Sequence, residues 1–247
     1  MLQKAFIIFA LVCCFPKLGL GAAPIASPPP RNTVRTLAPR EGGKVAWARL
    51  ITESPSWTVH QANDPLLADF IRRQSTLNLD PRCYPADSAQ LSDLSNYPFI
   101  FTNNLSDVHS PARLANIREY LRRGGFIYID RCVNLSFSLE QELFFRRHID
   151  LLNRLLPDCK IRELPRSHEI FRCYFSIDGS VRAGTGGSAH DGIYGVYDEG
   201  RMVALLSLAN YQCGWPNSRD RGVARMEMIA NIYVYAMTSG LEAPVAK

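Results

Sequence analysis

The sequence predicts an α/β protein with adjacent parallel strands at its centre, and three observations within residues 97–134 carry that prediction. Phe99-Ile100-Phe101 and Phe126-Ile127-Tyr128-Ile129 are short apolar runs, as in strands buried on both faces. Between them, Ser110-Pro111 is a helix start: a hydroxyl at the N-cap, then proline in the first turn, where its missing N–H costs nothing. Leu114, Ile117 and Leu121 then make one apolar stripe, Arg122 and Arg123 suit the negative end of the helix dipole, and Gly124-Gly125 ends the helix. Strand, helix and strand at this spacing form a βαβ unit with parallel, neighbouring strands. Ligands in open α/β sheets bind beyond the carboxyl ends of the strands. Those ends carry Thr102, Asn103 and Asn104 on one strand, and Asp130, Arg131 and Cys132 on the other.

The other elements follow in order. Residues 1–22 read as a signal peptide, with Lys4 before the apolar Ala5–Cys14 and small residues from Gly19 to Ala22. The apolar run is short for a membrane span, so the protein is expected to be periplasmic or otherwise exported, with membrane contact only through an uncleaved leader. Residues 23–44 are a flexible, proline-rich lead-in, 45–240 a single α/β domain and 241–247 a tail. Val45–Ile51 is the first strand, and Asp64-Pro65 opens a helix burying Leu66, Leu67, Phe70 and Ile71. Leu77–Pro85 reads as a polar, proline-punctuated connector, and Leu91–Leu94 as a half-buried turn. Strand 98–102, helix 111–123 and strand 125–130 come next.

Ser138-x-x-Gln141 is a capping-box pattern opening a long helix, with Leu139, Leu143, Leu151, Leu152 and Leu155 as its apolar side. Cys159–Leu164 reads as a strand, and Ile170–Phe175 is aromatic and β-rich. The glycine-rich Gly179–Gly195 matches neither the phosphate-loop nor the dinucleotide pattern and reads as a mobile surface loop. Ile193–Tyr197 and Met202–Leu208 make a hairpin around Asp198-Glu199-Gly200. A polar loop, Asn210–Arg221, leads to a final helix, Val223–Thr238, with Met226, Ile229, Ile232, Tyr233 and Ala236 facing the core.

The formal charge of +5 falls to +3 once the leader, with Lys4 and Lys17 and no acids, is removed. That is too mild for a nucleic-acid partner, and no basic run with interleaved aromatics exists. Cys83, Cys132, Cys159, Cys173 and Cys213 remain, an odd number that allows one or two disulfides in an oxidising compartment. Their spacings match no zinc motif, so neither a metal nor a cofactor is expected.

Several motifs in order resemble the bacterial domain-of-unknown-function family 4159. They are Arg118-Glu119-Tyr120-Leu121-Arg122-Arg123-Gly124-Gly125-Phe126 with Asp130, Leu164-Pro165 with His168-Glu169-Ile170-Phe171, Gly200-Arg201, Gly214-Trp215, and Asn231–Thr238. The resemblance implies a flavodoxin-like, class I glutamine-amidotransferase-like fold: a mostly parallel sheet with helices on both faces. It implies no amidotransferase activity. Relatives beside MoxR-type ATPases and von Willebrand A proteins imply, by association, an envelope protein partner. Arg131 stands where the family commonly has a second acid, and Glu169 where a proline often follows the histidine.

Candidate chemistry gathers at few residues. Cys132 follows a strand, as amidotransferase nucleophiles do, but no glycine flanks it, and Arg131 alone makes no triad. Cys132 and His168 are weak catalytic candidates. Asp107, His109, Asp130 and His168 are dispersed groups that a metal would have to gather, and capping or amide-binding roles explain them more simply. Asp130 is expected to accept backbone N–H groups at the strand end. Asn103, Asp130, His168, Asn210 and Trp215 are the ligand-binding candidates, and Asn231 is expected to pin the Asn210–Trp215 loop. The function expected is that of an exported, non-catalytic α/β domain binding a partner protein or small ligand at the carboxyl edge. The alternative is a cysteine- or metal-assisted hydrolase of amide or glycan bonds.

Overall fold

A computed structural model of the chain describes residues 45–130, 138–177, 192–214 and 219–238. They form a mixed seven-stranded sheet in the order β2-β1-β3-β4-β7-β6-β5. The strands are β1 (Val45–Ile51), β2 (Leu79–Asp87), β3 (Phe99–Thr102), β4 (Phe126–Asp130), β5 (Lys160–Glu163), β6 (Ile193–Asp198) and β7 (Arg201–Ser207). The first five in spatial order are parallel, and β6 and β5 add antiparallel strands at one edge. The helices are α1 (Asp64–Gln74), α2 (Leu91–Leu94), α3 (Pro111–Arg122), α4 (Ser138–Leu155), α5 (Tyr211–Gly214) and α6 (Arg219–Thr238).

Pleating divides the sheet into two cores. Ala48, Ile100, Ile127, Ile129 and Leu206 face α3 and α4, while Trp47, Phe99, Phe101, Phe126, Tyr128 and Leu205 face α1 and α6. Helices therefore cover both faces. The chain crosses from β1 through α1 to β2 on one side, then returns to place β3 on the other side of β1. Strand order reverses there, which opens a crevice at the carboxyl ends of β1 and β3.

The central βαβ unit stands where the sequence put it. Gly124 ends α3 at φ 104°, a conformation that strains any side chain, and a Cβ on Gly125 would collide with the Tyr120 ring. The Tyr120 hydroxyl donates to Tyr97 O and so ties the end of α3 to the start of β3. Glu199 and Gly200 both have positive φ, as a two-residue β-hairpin turn requires.

Several expectations need correction. The proline-punctuated connector is largely β2, an edge strand that Pro81 and Pro85 can occupy because one side needs no ladder donors. Leu139 and Leu143 are exposed on α4, whose inner side is instead Gln141, Phe144, His148, Leu151, Leu152 and Leu155. In α1, Leu66 is exposed while Leu67, Ala68 and Ile71 are buried. Ile170–Phe175 is no strand: Glu169–Phe171 is a single 3-10 turn. The last helix starts at Arg219, and part of the expected polar loop is α5. Asn231 pins a different segment from the one expected, receiving the Phe175 N–H and donating to Phe175 O. Residues 1–44, Arg131, Cys132, most of the glycine-rich loop, Trp215 and the tail lie outside the described residues. Among the described residues no helix is long and apolar enough to cross a membrane.

Candidate functional site at the carboxyl edge

The register of the parallel strands builds the site. Phe101 pairs with Tyr128, and Tyr128 with Leu205, all on the α1/α6 face. One pleat further on, the same face carries Asn103, Asp130 and Ser207, with Asp130 directly opposite Ser207. The aromatic rows thus give way to a polar row at the strand ends. All three residues are buried, with Asp130 and Ser207 at 0% exposure and Asn103 at 5%.

Two segments roof this row. One is the turn after β7, where Asn210 takes a left-handed conformation, φ 54°, which asparagine tolerates better than most side chains. The turn brings the α5 amides over the sheet, and Gln212 N–H donates to Asp130 Oδ2 at 2.7 Å. The expected amide-accepting role of Asp130 is therefore observed, with the donor on the neighbouring strand's turn. The other segment is 54–60, two residues past β1. Its carbonyls take the side-chain donors of the site: Asn103 Nδ2 donates to Ser56 O, and Gln212 Nε2 to Val59 O at 3.0 Å. Val59 N–H itself donates to Ser56 O at 3.0 Å.

The result is a hydrogen-bonded chain, Asn103–Ser56–Val59–Gln212–Asp130, whose ends lie on the neighbouring strands β3 and β4. Asn103 Oδ1, Gln212 Oε1 and Asp130 Oδ1 are left over: each is buried without a hydrogen bond of good geometry among the described residues. Burial pushes the Asp130 carboxyl up to about 6, against the pull of Gln212 N–H, the Ser207 hydroxyl, the Tyr211 amide and the Tyr128 hydroxyl. All of those are neutral groups. The same burial, with the Asp130 charge next, raises Tyr128 well above the usual phenol range.

A second buried carboxylate lies beside this row. Arg49 grips Asp64 with two parallel bonds, Nε to Oδ2 at 2.8 Å and Nη2 to Oδ1 at 2.5 Å, and the pair is essentially sealed from water. Arg49 Nη1 also donates to Trp57 O and Val59 O, both at 3.1 Å, and the guanidinium lies over the Phe101 ring. This pair fastens the 54–60 segment to β1. Asp107 is committed likewise, accepting from Ser56 Oγ at 2.5 Å and Asn104 Nδ2 at 2.7 Å, and Glu53 takes the amides of His109 and Ser110. These are capping roles, as the simpler reading of Asp107 expected.

His168 is not brought to this edge. Its Nδ1 accepts the Ile170 N–H at 3.2 Å, its Nε2 meets the Tyr197 hydroxyl at 3.3 Å, and its ring lies against Tyr235. Tyr197 pairs with Met202 and Asp130 with Ser207. Five residues of β7 separate those partners, roughly 17 Å of strand at the usual rise. Asn103, Asp130 and Asn210 thus share the carboxyl edge, His168 sits toward the opposite end, and Cys132 and Trp215 fall outside the described residues. Cys83, Cys159 and Cys173 are free thiols. Burial raises Cys83 to about 12 and Cys173 to about 11, well away from the range of a reactive thiolate.

Two open clefts lie apart from the polar row. One, of about 930 Å³, is lined by Arg122, Lys160, Arg162, Glu199 and Arg201 at the β6–β7 hairpin. The other, of about 910 Å³, runs between α3 and α4 past His109, Arg147 and Arg154. Among the described residues no group of three or more His, Cys, Asp or Glu side chains could hold a metal ion.

Sequence reasoning missed Ser207, Gln212, Tyr128 and the Arg49–Asp64 pair. Ser207 was detectable as the one polar residue closing an apolar strand. Arg49 was visible as a charge within VAWARLI, although its partner fifteen residues on was not. Gln212 left no signal, since it acts through a turn that only the fold places.

Together, the fold and the polar row define an α/β protein with a buried polar cluster at the carboxyl edge of a mixed sheet. The chain belongs to the domain-of-unknown-function family DUF4159, whose profile matches residues 46–237. No curated protein matches the chain.

Proposed function

We propose that this chain is an exported, non-catalytic domain that binds a partner protein or small ligand at the carboxyl edge of its sheet. The observation that carries the reading is the Asn103–Asp130–Ser207 row with its buried carboxyl group, which neutral groups serve among the described residues. Buried charges are normally paired, so an uncompensated carboxylate at a strand end marks a binding site better than a scaffold. The parallel strand order β2-β1-β3-β4-β7 supports a flavodoxin-like, class I glutamine-amidotransferase-like fold, in which ligands sit at this edge. The distance of His168 from the row, and the raised pKa of the half-buried Cys83 and Cys173 thiols, support a non-catalytic role.

The test is affinity capture from envelope extract, run beside a thermal-shift screen of small ligands, with wild type and Asn103→Ala. The reading expects a partner or ligand that wild type retains and the variant loses. Turnover of an amide or glycan substrate would support the hydrolase alternative instead, if a thiol probe labelled Cys132 alone and His168→Ala abolished the labelling.

A further inference from the structure

The open cleft between α3 and α4 has a floor and a rim of different character. Val108, Leu114, Leu151 and Leu155 form the floor, and all four belong to the core beneath the two helices. Arg118, Arg147 and Arg154 stand on the rim. Arg118 is fixed there: its Nε donates to Leu155 O at 2.7 Å and its Nη2 to Arg154 O at 3.2 Å. That clamp ties α3 to the end of α4 and holds the two walls together. Arg147 and Arg154 are both exposed and lie seven residues apart on α4, about 10 Å along its axis and on one side of it. The arginines around the cleft are answered differently. Arg113 pairs with Asp87, Arg123 with Glu119 and Arg146 with Glu142. Among the described residues, Arg147 and Arg154 form no ion pair, and Arg118 spends its bonds on uncharged carbonyls. The lining also holds His109 and two carboxylates, Asp107 and Asp150. Asp107 is already committed to the Ser56 hydroxyl and the Asn104 amide.

We propose that this cleft is a docking groove for an acidic amphipathic helix of a partner protein, with apolar side chains on the Leu114–Leu151 floor and carboxylates on Arg147 and Arg154. The groove is a second surface, separate from the carboxyl-edge site. An amphipathic helix in a groove is read through anchors one and two turns apart. Acids at i and i+7 repeat the spacing of Arg147 and Arg154, and apolar residues at i+3 and i+4 fall between them. Guanidinium groups pair with carboxylates through two parallel bonds, so each uncommitted arginine suits one acid. The two arginines follow one another along the groove, which favours successive acids of a chain over one compact anion. A single-stranded nucleic acid fits worse, because among the described residues no aromatic side chain other than His109 lines the cleft for bases to stack on. The opening, about 910 Å³, is large enough for several side chains of a partner.

The experiment is fluorescence anisotropy of the full chain with labelled helical peptides. The probe is built from leucine and glutamate, with glutamates at i and i+7. It is set against the same peptide with lysine for glutamate, and against one with serine for leucine. The expected result is binding of the probe at least roughly tenfold tighter than of either comparison peptide, a difference of about 1.4 kcal/mol. Arg147→Glu combined with Arg154→Glu should lose that preference and bind the lysine peptide more tightly instead. Both side chains are exposed, so the double variant should melt like wild type. Asn103→Ala should bind the probe as wild type does, which keeps this test apart from that of the carboxyl edge. Equal binding of the lysine peptide, full affinity in the double variant, or no binding by any peptide would overturn the groove and leave the carboxyl-edge reading untouched. Loss of probe binding in Asn103→Ala alone would place the peptide at the carboxyl edge and likewise overturn the groove. Binding to vesicles of anionic lipid in place of the probe, lost in the double variant, would overturn the peptide assignment and give the cleft to a lipid surface.

Discussion

Two buried carboxylates stand side by side at one edge of this sheet, and they are treated in opposite ways. Asp64 meets a guanidinium through two short bonds, and that guanidinium also holds two carbonyls of the overlying segment. Among the described residues, the groups that answer the Asp130 charge are neutral. Both side chains are fully enclosed, so burial alone does not separate structure from site. Compensation does. A charge with its counter-charge in place is a fastener, and one without it is either a cost that the fold bears or a demand that a ligand meets.

The largest effect should come from breaking the fastener. Arg49→Ala leaves Asp64 buried and unpaired and frees the 54–60 segment, a loss of about 3–5 kcal/mol. At roughly 2–4 °C per kcal/mol for a domain of this size, thermal melting should fall by about 10 °C or more. A melt within a degree or two of wild type would erase the contrast between the two carboxylates.

Asp130→Asn should act in the other direction. The folded carboxyl titrates at about 6, above its ordinary value of 3.8. Between those values the folded state holds the proton and the unfolded state releases it. The carboxyl's contribution to stability is therefore fully present below 3.8 and is lost as pH rises through 6. About two pH units correspond to at most about 3 kcal/mol. In the absence of ligand, the asparagine variant should match or exceed wild-type stability at pH 7.5 and lose that advantage near pH 4. Melting curves at the two pH values check the sign. Asp130→Ala, which strips the Gln212 amide of its acceptor, should be destabilised by about 1–3 kcal/mol relative to Asp130→Asn.

Smaller effects sharpen the picture. Gln212→Ala removes one bond to Val59 O and should cost about 1 kcal/mol in chemical denaturation. On the far edge, Asp80 is a buried counterpart of Asp64 with an exposed partner: the Arg82 guanidinium, foremost, holds its carboxyl well below the usual range. Its contribution is present above pH 3.8 and is lost on acidification, the opposite slope to that of Asp130. Arg82 is 64% exposed, so Arg82→Ala should shift stability by less than about 1 kcal/mol.

The sequence made the strand-helix-strand unit legible because periodicity, N-cap, proline and glycine all agreed within 34 residues, from Tyr97 to Asp130. Asn103 and Asp130 were found for the same reason: they end apolar runs. Edge strand β2 was hidden by two prolines that would disqualify an interior strand. The buried side of α4 was misjudged because apolar Leu139 and Leu143 lie outward while polar Gln141 and His148 lie inward. His148 is accommodated there by Phe144 O at 2.7 Å on Nδ1 and the Ser106 N–H on Nε2. His168 looked like a site residue because its motif resembles the family's, yet its two ring nitrogens serve a 3-10 turn and a tyrosine hydroxyl. The closing of the polar row by Ser207 and Gln212 depends on register across 77 and 82 residues of chain from Asp130, a separation that no local pattern reports.

The most direct test is a carbon-13 NMR titration of the Asp130 carboxyl, assigned by its absence in Asp130→Asn. The account predicts a midpoint near 6 in the ligand-free protein. A midpoint already below about 4 in the free protein would mean that the chain supplies its own counter-charge. In that case Asp130 would be a fastener like Asp64, and the carboxyl edge would lose its claim to be the site.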